Sequence, residues 1–326
     1  MDDILVIGCG VSGLTTAIQL QEAMRGRPWR VCIWAREPPL QTTSSVAAAL
    51  WYPYKVAAGG RVDAWGRLAH ATFVELARDA RSGVRQRRGI ELFRSPQPTD
   101  PPWRDVVQAF RRARPAELPQ GYQDGFVFTV PVIQMPVYLP YPLTRFQANG
   151  GRVDLDHPLT SLDEATTRSP IVVNCTGLGA RELVRDRHFH PSLGQVVWVA
   201  NPGLTQFVLD DLDPAGPTYI VPFDTYCVLG GTDLAADWSA PRPEVTEAIL
   251  RRCEALEPRL QGARVLASKI GLRPVRVDEA VRLERDRSVA DACVVHNYGH
   301  GGAGVTLSWG CAADVVGLVQ EALAER

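Results

Sequence analysis

Apolar positions near the amino terminus follow the pattern of a strand, a turn and a helix. Residues 4–7 are a continuous run of β-branched residues and leucine, which is typical of a strand buried on both faces. Apolar residues recur at helical intervals from Leu14 to Leu20, and Trp29–Trp34 predicts a second strand. Near the carboxyl terminus, residues 309–324 have helical apolar spacing, and we expect this helix to pack back on the amino-terminal unit. The pattern predicts an α/β fold.

Three glycines lie between the first strand and the first helix. Gly8, Gly10 and Gly13 have G-x-G-x-x-G spacing, which permits a tight turn, a close approach to a pyrophosphate, and close helix–strand packing. The helix N-terminus adds N–H donors for phosphate. Glu37, after the second strand, is suited to bind ribose hydroxyls, whereas Arg36 could contact a ribose phosphate, cover the adenine edge or face solvent. The motif predicts a dinucleotide site without separating FAD from NAD.

A hydroxyl-rich segment follows at residues 41–54. Thr42, Thr43, Ser44 and Ser45 are succeeded by small residues, so the segment can present several donors to a phosphate without bulky side chains. The alternative interpretation is a plain helix cap, because Thr and Ser are good N-cap residues.

Composition narrows the class of protein. The 326 residues are 45% apolar and 22% charged with a net charge of -1, which excludes a disordered chain and a general nucleic-acid binder and favours about two domains. The Arg-rich stretch at 78–88 has Asp79 within it and Glu75 just before it, and it fits a solvated surface. Seven cysteines without C-x-x-C spacing predict buried thiols in a reducing cytoplasm, with no metal site. No apolar run is long enough for a membrane span.

Later motifs resemble the D-amino acid oxidase family, which includes the D-aspartate oxidases. The matching segments appear in family order from residue 4 to about residue 315. They are the glycine motif, the segment at 42–54, Ile-Val-Val-Asn-Cys-Thr-Gly at 171–177, Tyr-Ile-Val-Pro at 219–222, Gly-Gly-Thr at 230–232, Asp-Trp-Ser at 237–239, Gly-Leu-Arg-Pro-Val-Arg at 271–276, and His-Asn-Tyr-Gly-His-Gly-Gly-Ala-Gly-Val-Thr at 296–306.

The resemblance implies non-covalently bound FAD in a doubly wound, Rossmann-like domain interleaved in sequence with a mixed-sheet substrate domain. We expect the FAD domain to comprise residues 1–54, 140–185 and 285–326, and the substrate domain residues 55–139 and 186–284. The resemblance also allows a homodimer.

Matching positions imply the residues that contact FAD. They are Cys9, Gly10, Val11, Ser12, Arg36, Glu37, Thr42, Thr43, Ser44, Ala49, Leu50, Leu159, Arg273, His300, Gly301, Gly302, Gly304, Val305 and Thr306. The family often has Gly where Ala49 stands and a large aromatic where Ala303 stands. We expect His300 to be a hydrogen-bonding wall of the flavin site rather than a base.

The resemblance also implies the chemistry. A D-amino acid would lose a hydride from Cα to flavin N5, and oxygen would then be reduced to hydrogen peroxide while the imino acid hydrolyses to a 2-oxo acid and ammonia. Arg273 and Tyr219 would bind the carboxylate, since a guanidinium meets both carboxylate oxygens, and Gly302 would lie beside the substrate. From the residues alone, Arg273 could instead form a structural salt bridge to Glu284 or Asp278.

Asp233 bears on the substrate side chain. D-aspartate oxidases carry Arg at this position, so an acid predicts neutral or basic D-amino acids; a turn residue facing solvent is the alternative. Ala215 stands near the place where some family members have a further pocket tyrosine, so the residues that form the pocket walls are left undetermined.

Rival functions are a D-aspartate oxidase, a glycine or sarcosine oxidase, an NAD(P)-dependent dehydrogenase and a non-catalytic flavin- or ligand-binding protein.

Overall fold

A computed structural model describes residues 2–54, 56–57, 59–235, 238–289 and 292–325, so Asp237 of the Asp-Trp-Ser motif lies outside the described residues. Fourteen strands occur within these ranges. They are β1 Asp2–Ile7, β2 Trp29–Trp34, β3 Val84–Phe93, β4 Gln108–Arg112, β5 Asp124–Ile133, β6 Arg152–Asp154, β7 Ile171–Asn174, β8 Ser192–Ala200, β9 Phe207–Asp210, β10 Thr218–Pro222, β11 Tyr226–Gly230, β12 Val265–Arg273, β13 Arg282–Asp286 and β14 Cys293–Tyr298.

Helices connect and cover the strands. They are α1 Val11–Ala23, α2 Gly60–Leu76, α3 Met135–Tyr138, α4 Pro140–Ala148, α5 Leu162–Arg168, α6 Ala180–Leu183, α7 Pro243–Leu256 and α8 Gly304–Ala324. The carboxyl-terminal helix starts five residues before the predicted position 309, because Gly, Thr and Ser in residues 304–308 weaken the helical signal there.

The strands form two mixed sheets. The first has the order β13-β14-β7-β1-β2-β6, with β1, β2, β6, β7 and β14 parallel and β13 antiparallel. The second has the order β12-β8-β11-β10-β9-β3-β5-β4 and is antiparallel except for the β3–β9 pair. The predicted α/β class with a doubly wound unit and a second mixed sheet is confirmed.

Distant parts of the chain build each sheet. The first sheet takes its strands from 2–34, 152–174 and 282–298, and the second from 84–133 and 192–273. Helix α2, which lies in the expected substrate domain, packs against α8. The domain bounds remain a prediction.

One hydrophobic core runs between the sheets. It includes Ile4 and Val6 of β1, Leu14 of α1 and Val315 of α8, and it continues to Val130 of β5. A smaller cluster covers the opposite face of the first sheet beneath α5. This packing fixes the N-termini of α1 and α8 relative to the second sheet, which is the arrangement that the candidate site needs.

Candidate active site

The turn after β1 has the geometry that its glycines predict. Gly8 has a φ of +108°, in the region that favours glycine. A Cβ on Gly13 would lie 2.0 Å from the Gly8 carbonyl oxygen, so no larger residue fits there. Helix α1 therefore starts directly at the carboxyl end of β1.

The N-terminus of α1 is open to an anion. Gly10 provides no side-chain cap, and the Val11 N–H donates to Ser44 Oγ at 3.0 Å. Ser44 thus caps the helix from a distant segment, which combines the two interpretations of the hydroxyl run. The following N–H groups of the first turn have no intrahelical acceptor, and the helix dipole favours negative charge there.

A second helix N-terminus meets the first. Ala303 gives α8 no side-chain cap, a Cβ on Gly304 would lie 4.0 Å from Val11 Cγ1, and Ser12 Oγ donates to the Asn297 carbonyl oxygen at 3.2 Å. Two helix N-termini whose backbone N–H groups lack intrahelical acceptors fit a group that carries both a pyrophosphate and ring carbonyl oxygens, as FAD does. The residues present fit the predicted cofactor.

Other predicted cofactor residues surround these helix ends. Arg36 Nε donates to Glu37 Oε1 at 2.9 Å, and Arg36 is largely exposed. The Thr42 hydroxyl donates to the Pro39 carbonyl oxygen at 2.7 Å. Leu159 packs against the smaller cluster under the first sheet.

The next contacts follow the hydroxyl segment toward β12 and β5. Thr43 Cγ2 would lie 3.6 Å from a Cβ on Gly271 of β12. Ala49 has a φ of +50°, which explains why glycine suits that position, and Leu50 forms a β-bridge with Val132. The segment therefore lies along the second sheet, from β12 to β5.

His300 is held neutral. It is 4% exposed, and burial lowers its pKa to about 4. Asn297 Nδ2 donates to Thr16 Oγ1 at 3.1 Å, so Asn297 Oδ1 is the acceptor and His300 Nε2 the donor at 3.1 Å. This assignment leaves Nδ1 unprotonated, and the ring serves as a fixed polar wall.

Arg273 ends β12 and points its guanidinium along the second sheet. Nη1 donates to the Thr232 carbonyl oxygen at 2.9 Å and to Ser192 Oγ at 3.2 Å. No carboxylate among the described residues forms an ion pair with it. The alternative salt bridge is wrong, because Glu284 pairs with Arg282 at 2.7 Å and Asp278 lies 3.7 Å from Arg276.

Tyr219 lies beside Arg273. Its ring crosses the glycines of the Gly-Gly-Thr motif: a Cβ on Gly230 would lie 1.9 Å from Tyr219 Cζ, and a Cβ on Gly231 2.8 Å from the hydroxyl oxygen. Burial raises the pKa of Tyr219, and the Arg273 guanidinium acts in the opposite direction. The hydroxyl therefore stays protonated at neutral pH and is available as a donor.

Tyr54 and Tyr52 join the two halves of the site. The Arg273 guanidinium carbon lies 5.6 Å from the Tyr54 ring centroid, and a Cβ on Gly302 would lie 2.4 Å from Tyr54 Cδ1. Thr306 Oγ1 accepts from the Tyr52 N–H at 3.2 Å and donates to its carbonyl oxygen at 2.8 Å. The structure thus brings Arg273, Tyr219 and Gly302 together.

The sequence alone assigns no role to Tyr52 or Tyr54. The signal available was their place at the end of the hydroxyl-rich segment at 41–54.

Asp233 is a hydrogen-bonded carboxylate near Arg273. The Ser192 hydroxyl, which also accepts from Arg273, donates to Asp233 Oδ1. Asp233 is half-buried, so a solvent-facing turn residue does not describe it. Ser192 was missed from the sequence because nothing in an isolated strand residue reveals its partner across the sheet.

Two further acids in this region were also missed. Glu91 accepts from the Tyr52 hydroxyl at 2.5 Å, and Asp211 follows β9, close enough to Arg273 and Tyr52 to interact electrostatically. Their segments carry no motif.

Two negative observations apply to the described residues alone. No group of three or more His, Cys, Asp or Glu side chains is arranged to hold a metal ion, and no helix combines the length and hydropathy that crossing a bilayer requires.

Comparisons with known proteins agree with this geometry. The family described as FAD dependent oxidoreductase matches residues 3–318. A D-amino-acid oxidase of Rubrobacter xylanophilus is 52% identical over 98% of this chain and 96% of its own length, and one of Streptomyces coelicolor is 44% identical over 97% and 96%. Human D-aspartate oxidase is 37% identical over 98% and 94%.

Solved structures share the fold. Glycine oxidase from Bacillus cereus has a TM-score of 0.80 at 17% identity, covering 98% of this chain and 95% of its own.

Proposed function

The chain belongs to the FAD-dependent oxidoreductase family of the D-amino-acid oxidases, and we propose that it oxidises neutral or basic D-amino acids to 2-oxo acids, ammonia and hydrogen peroxide. Its FAD dependence and its oxidase class follow from the family match and the identity over nearly the full chain. The side-chain preference and the roles of individual residues are the proposed part.

The two helix N-termini would hold the cofactor. The main chain of residues 9–12 and Ser44 would face the pyrophosphate, with Arg36 and Glu37 near the adenosine and residues 301–306 near the ring. Bound FAD supplies the two-electron acceptor, which oxygen returns to its oxidised state.

The chain's own residues would bind and orient the substrate. Arg273 has guanidinium donors beyond those used by Ser192 and Thr232, and Tyr219 adds a hydroxyl. Both would fix the carboxylate, so that the Cα hydrogen points at the cofactor; such positioning is the main catalytic contribution. Neutral His300 would shape the site without moving a proton.

The observation that carries the proposal is Arg273, a cation without an ion-pair partner among the described residues, beside a protonated Tyr219. Replacing Arg273 with Ala should lower kcat/KM for D-phenylalanine by at least about a hundredfold, chiefly through KM, because a charged hydrogen-bonded pair is lost. Arg259→Ala, at a surface pair with Glu257, is the control. Flavin absorbance should stay unchanged; loss of FAD or an unaltered KM would contradict the assigned role.

The substrate preference needs a separate panel. D-phenylalanine and D-lysine should be oxidised faster than D-aspartate, because Asp233 stands beside the carboxylate-binding groups. L-amino acids, glycine and sarcosine complete the panel. Efficient D-aspartate turnover would favour the activity named for the human relative.

Two broader expectations accompany the proposal. The family resemblance supports a homodimer, which light scattering on a sizing column tests. The seven buried cysteine thiols support a reducing compartment such as the cytoplasm.

A further inference from the structure

A row of register partners crosses the second sheet at the candidate site. Glu91 of β3 pairs with Leu209 of β9, Leu209 with Tyr219 of β10, and Tyr219 with Gly230 of β11. Side chains at directly opposed positions share a face of the sheet. Glu91 therefore projects from the same face as Tyr219, two strands away, or about 10 Å between backbones.

Glu91 is unusual among the buried acids. Of the four buried carboxylates in the described residues, Asp124, Asp186 and Asp210 each lie within 4 Å of an Arg nitrogen, at 2.6, 3.5 and 2.5 Å. Glu91 is 5% exposed and has no cationic partner among the described residues. Its hydrogen bond is to a neutral hydroxyl, that of Tyr52.

Asp211 adds a second negative group at this end of the site. It is half-buried and, like Glu91, forms no ion pair within the described residues. Tyr52, Tyr54, Tyr219, Asp210 and Arg273 are the ionisable groups around Asp211, and Tyr52 and Asp211 are those around Glu91. The neighbouring Asp210 belongs to the next row and pairs with Arg94 and Tyr122, so its charge is already balanced.

Burying a carboxylate without a cation is costly. Accordingly burial raises the pKa of Glu91 to about 7 and that of Asp211 to about 6. A cation delivered by a ligand would remove this cost. The site thus has a cation, Arg273, at one end and, at the other, two acids that form no ion pair within the described residues, although Arg273 partly offsets the effect of burial on Asp211.

Resting on the proposed function, we propose that Glu91 and Asp211, with Tyr52 between them, form the side-chain subsite and select D-amino acids that end in an ammonium or guanidinium group. The carboxylate of such a substrate meets Arg273 and Tyr219, and its side chain runs along the sheet face toward β3. Because the row spans two strands, long cationic side chains such as those of D-lysine and D-arginine fit better than short ones.

Neutral analogues of matched shape isolate the charge. We expect kcat/KM for D-lysine to exceed that for D-norleucine, and for D-arginine to exceed that for D-citrulline, by roughly tenfold or more, the range of a charged hydrogen bond. Glu91→Gln and Asp211→Asn should each lower these ratios several-fold, because kcat/KM falls for the cationic member of each pair, while flavin absorbance stays unchanged. Asp224→Asn, which removes an exposed acid beside Arg87, should change neither the substrate ratios nor the flavin absorbance.

The pH dependence gives a second readout. The D-lysine to D-norleucine ratio should rise between pH 6 and pH 8.5, as Glu91 and Asp211 lose their protons while the lysine side chain stays charged. Taking the ratio cancels the ionisation of the α-amine. Glu91→Gln should flatten the rise.

The outcomes separate the two proposals. If D-norleucine and D-citrulline are oxidised but charge brings no advantage, or if neither variant changes the ratio, the subsite is refuted and the oxidase stands. If no D-amino acid is oxidised, the proposed function itself fails. Should Glu91→Gln lose FAD or unfold, the ratio in Asp211→Asn decides.

Discussion

Gly194 leaves room for the side chain of Arg273, and replacing Gly194 should weaken substrate binding while the fold stays intact. Gly194 pairs with Gly271 across β8 and β12, and the Arg273 side chain lies directly over it. A Cβ at position 194 would sit 2.6 Å from Arg273 Nη2 and 2.8 Å from its Cζ. Both contacts are shorter than real Cβ contacts allow, so Gly194→Ala must displace the guanidinium.

The size of the shift follows from these distances. To reach the 3.4 Å of ordinary contact, the nearest atom must retreat by roughly 0.8 Å. The hydrogen bond to the Thr232 carbonyl oxygen, 2.9 Å long, would then lengthen or break. Because a misplacement of about 1 Å can cost about a hundredfold in rate, we expect kcat/KM to fall by roughly ten- to a hundredfold. The displaced atoms end a flexible side chain, so the stability cost should stay within about 1 kcal/mol.

Steady-state oxygen consumption with D-phenylalanine, thermal unfolding and flavin absorbance measure the three quantities. The control is Gly317→Ala in α8, where a Cβ meets nothing within 4 Å; it should keep full activity and gain about 0.5–1 kcal/mol of helix stability. An unchanged KM in a folded, flavin-loaded Gly194→Ala protein would refute the assignment of Arg273 to the substrate carboxylate.

Three further substitutions test other parts of the structure. Ser44→Ala removes the acceptor of the Val11 N–H and should cost about 1 kcal/mol and weaken FAD binding in a flavin titration; unaltered binding would exclude Ser44 from the cofactor site. Ala49→Gly should raise the free energy of unfolding by about 0.5–1 kcal/mol by relieving the positive φ, and a loss of stability in urea would contradict that backbone geometry. Burial lowers the pKa of His70 to about 4, and His70 Nε2 has no partner among the described residues. Because the folded state disfavours protonated His70, the full stability is present above the unfolded pKa of about 6.5. About 3 kcal/mol of it is lost as pH falls toward 4. As pH drops from 7 to 5, the free energy of unfolding measured in urea should fall less for His70→Leu than for the parent protein; an equal fall in both proteins would contradict this.

The cofactor end of the site could be predicted from sequence because its signal is local. Gly8, Gly10 and Gly13 lie within six residues, and a strand before and a helix after them complete the pattern. The hydroxyl segment was ambiguous for a physical reason. Ser44 is both a helix cap and a neighbour of the phosphate site, but the helix it caps begins 33 residues earlier, a relation that spacing cannot reveal.

The substrate end depended on the family resemblance. By itself Arg273 looked like a salt-bridge residue, and only the fold shows that Glu284 and Asp278 pair with other arginines. The position of Asp233 in a motif predicts its place beside the substrate, yet its hydrogen bond to Ser192 joins two segments that are 41 residues apart in sequence.

Glu91 shows where sequence reasoning must stop. Alternation within β3 could indicate that Glu91 and Gly89 share a face, since side chains in a strand alternate with a period of two. That alternation does not tell which strand lies beside β3, and β9 joins it from more than a hundred residues away. A slip of one residue in that pairing would turn Leu209, and with it Tyr219, to the opposite face. The charge of the site, with Arg273 at one end and, at the other, acids that have no ion-pair partner among the described residues, is therefore a property of register. It follows that a variant which shifts the register of β9 should lose carboxylate binding and side-chain selection together, whereas Glu91→Gln should lose side-chain selection alone.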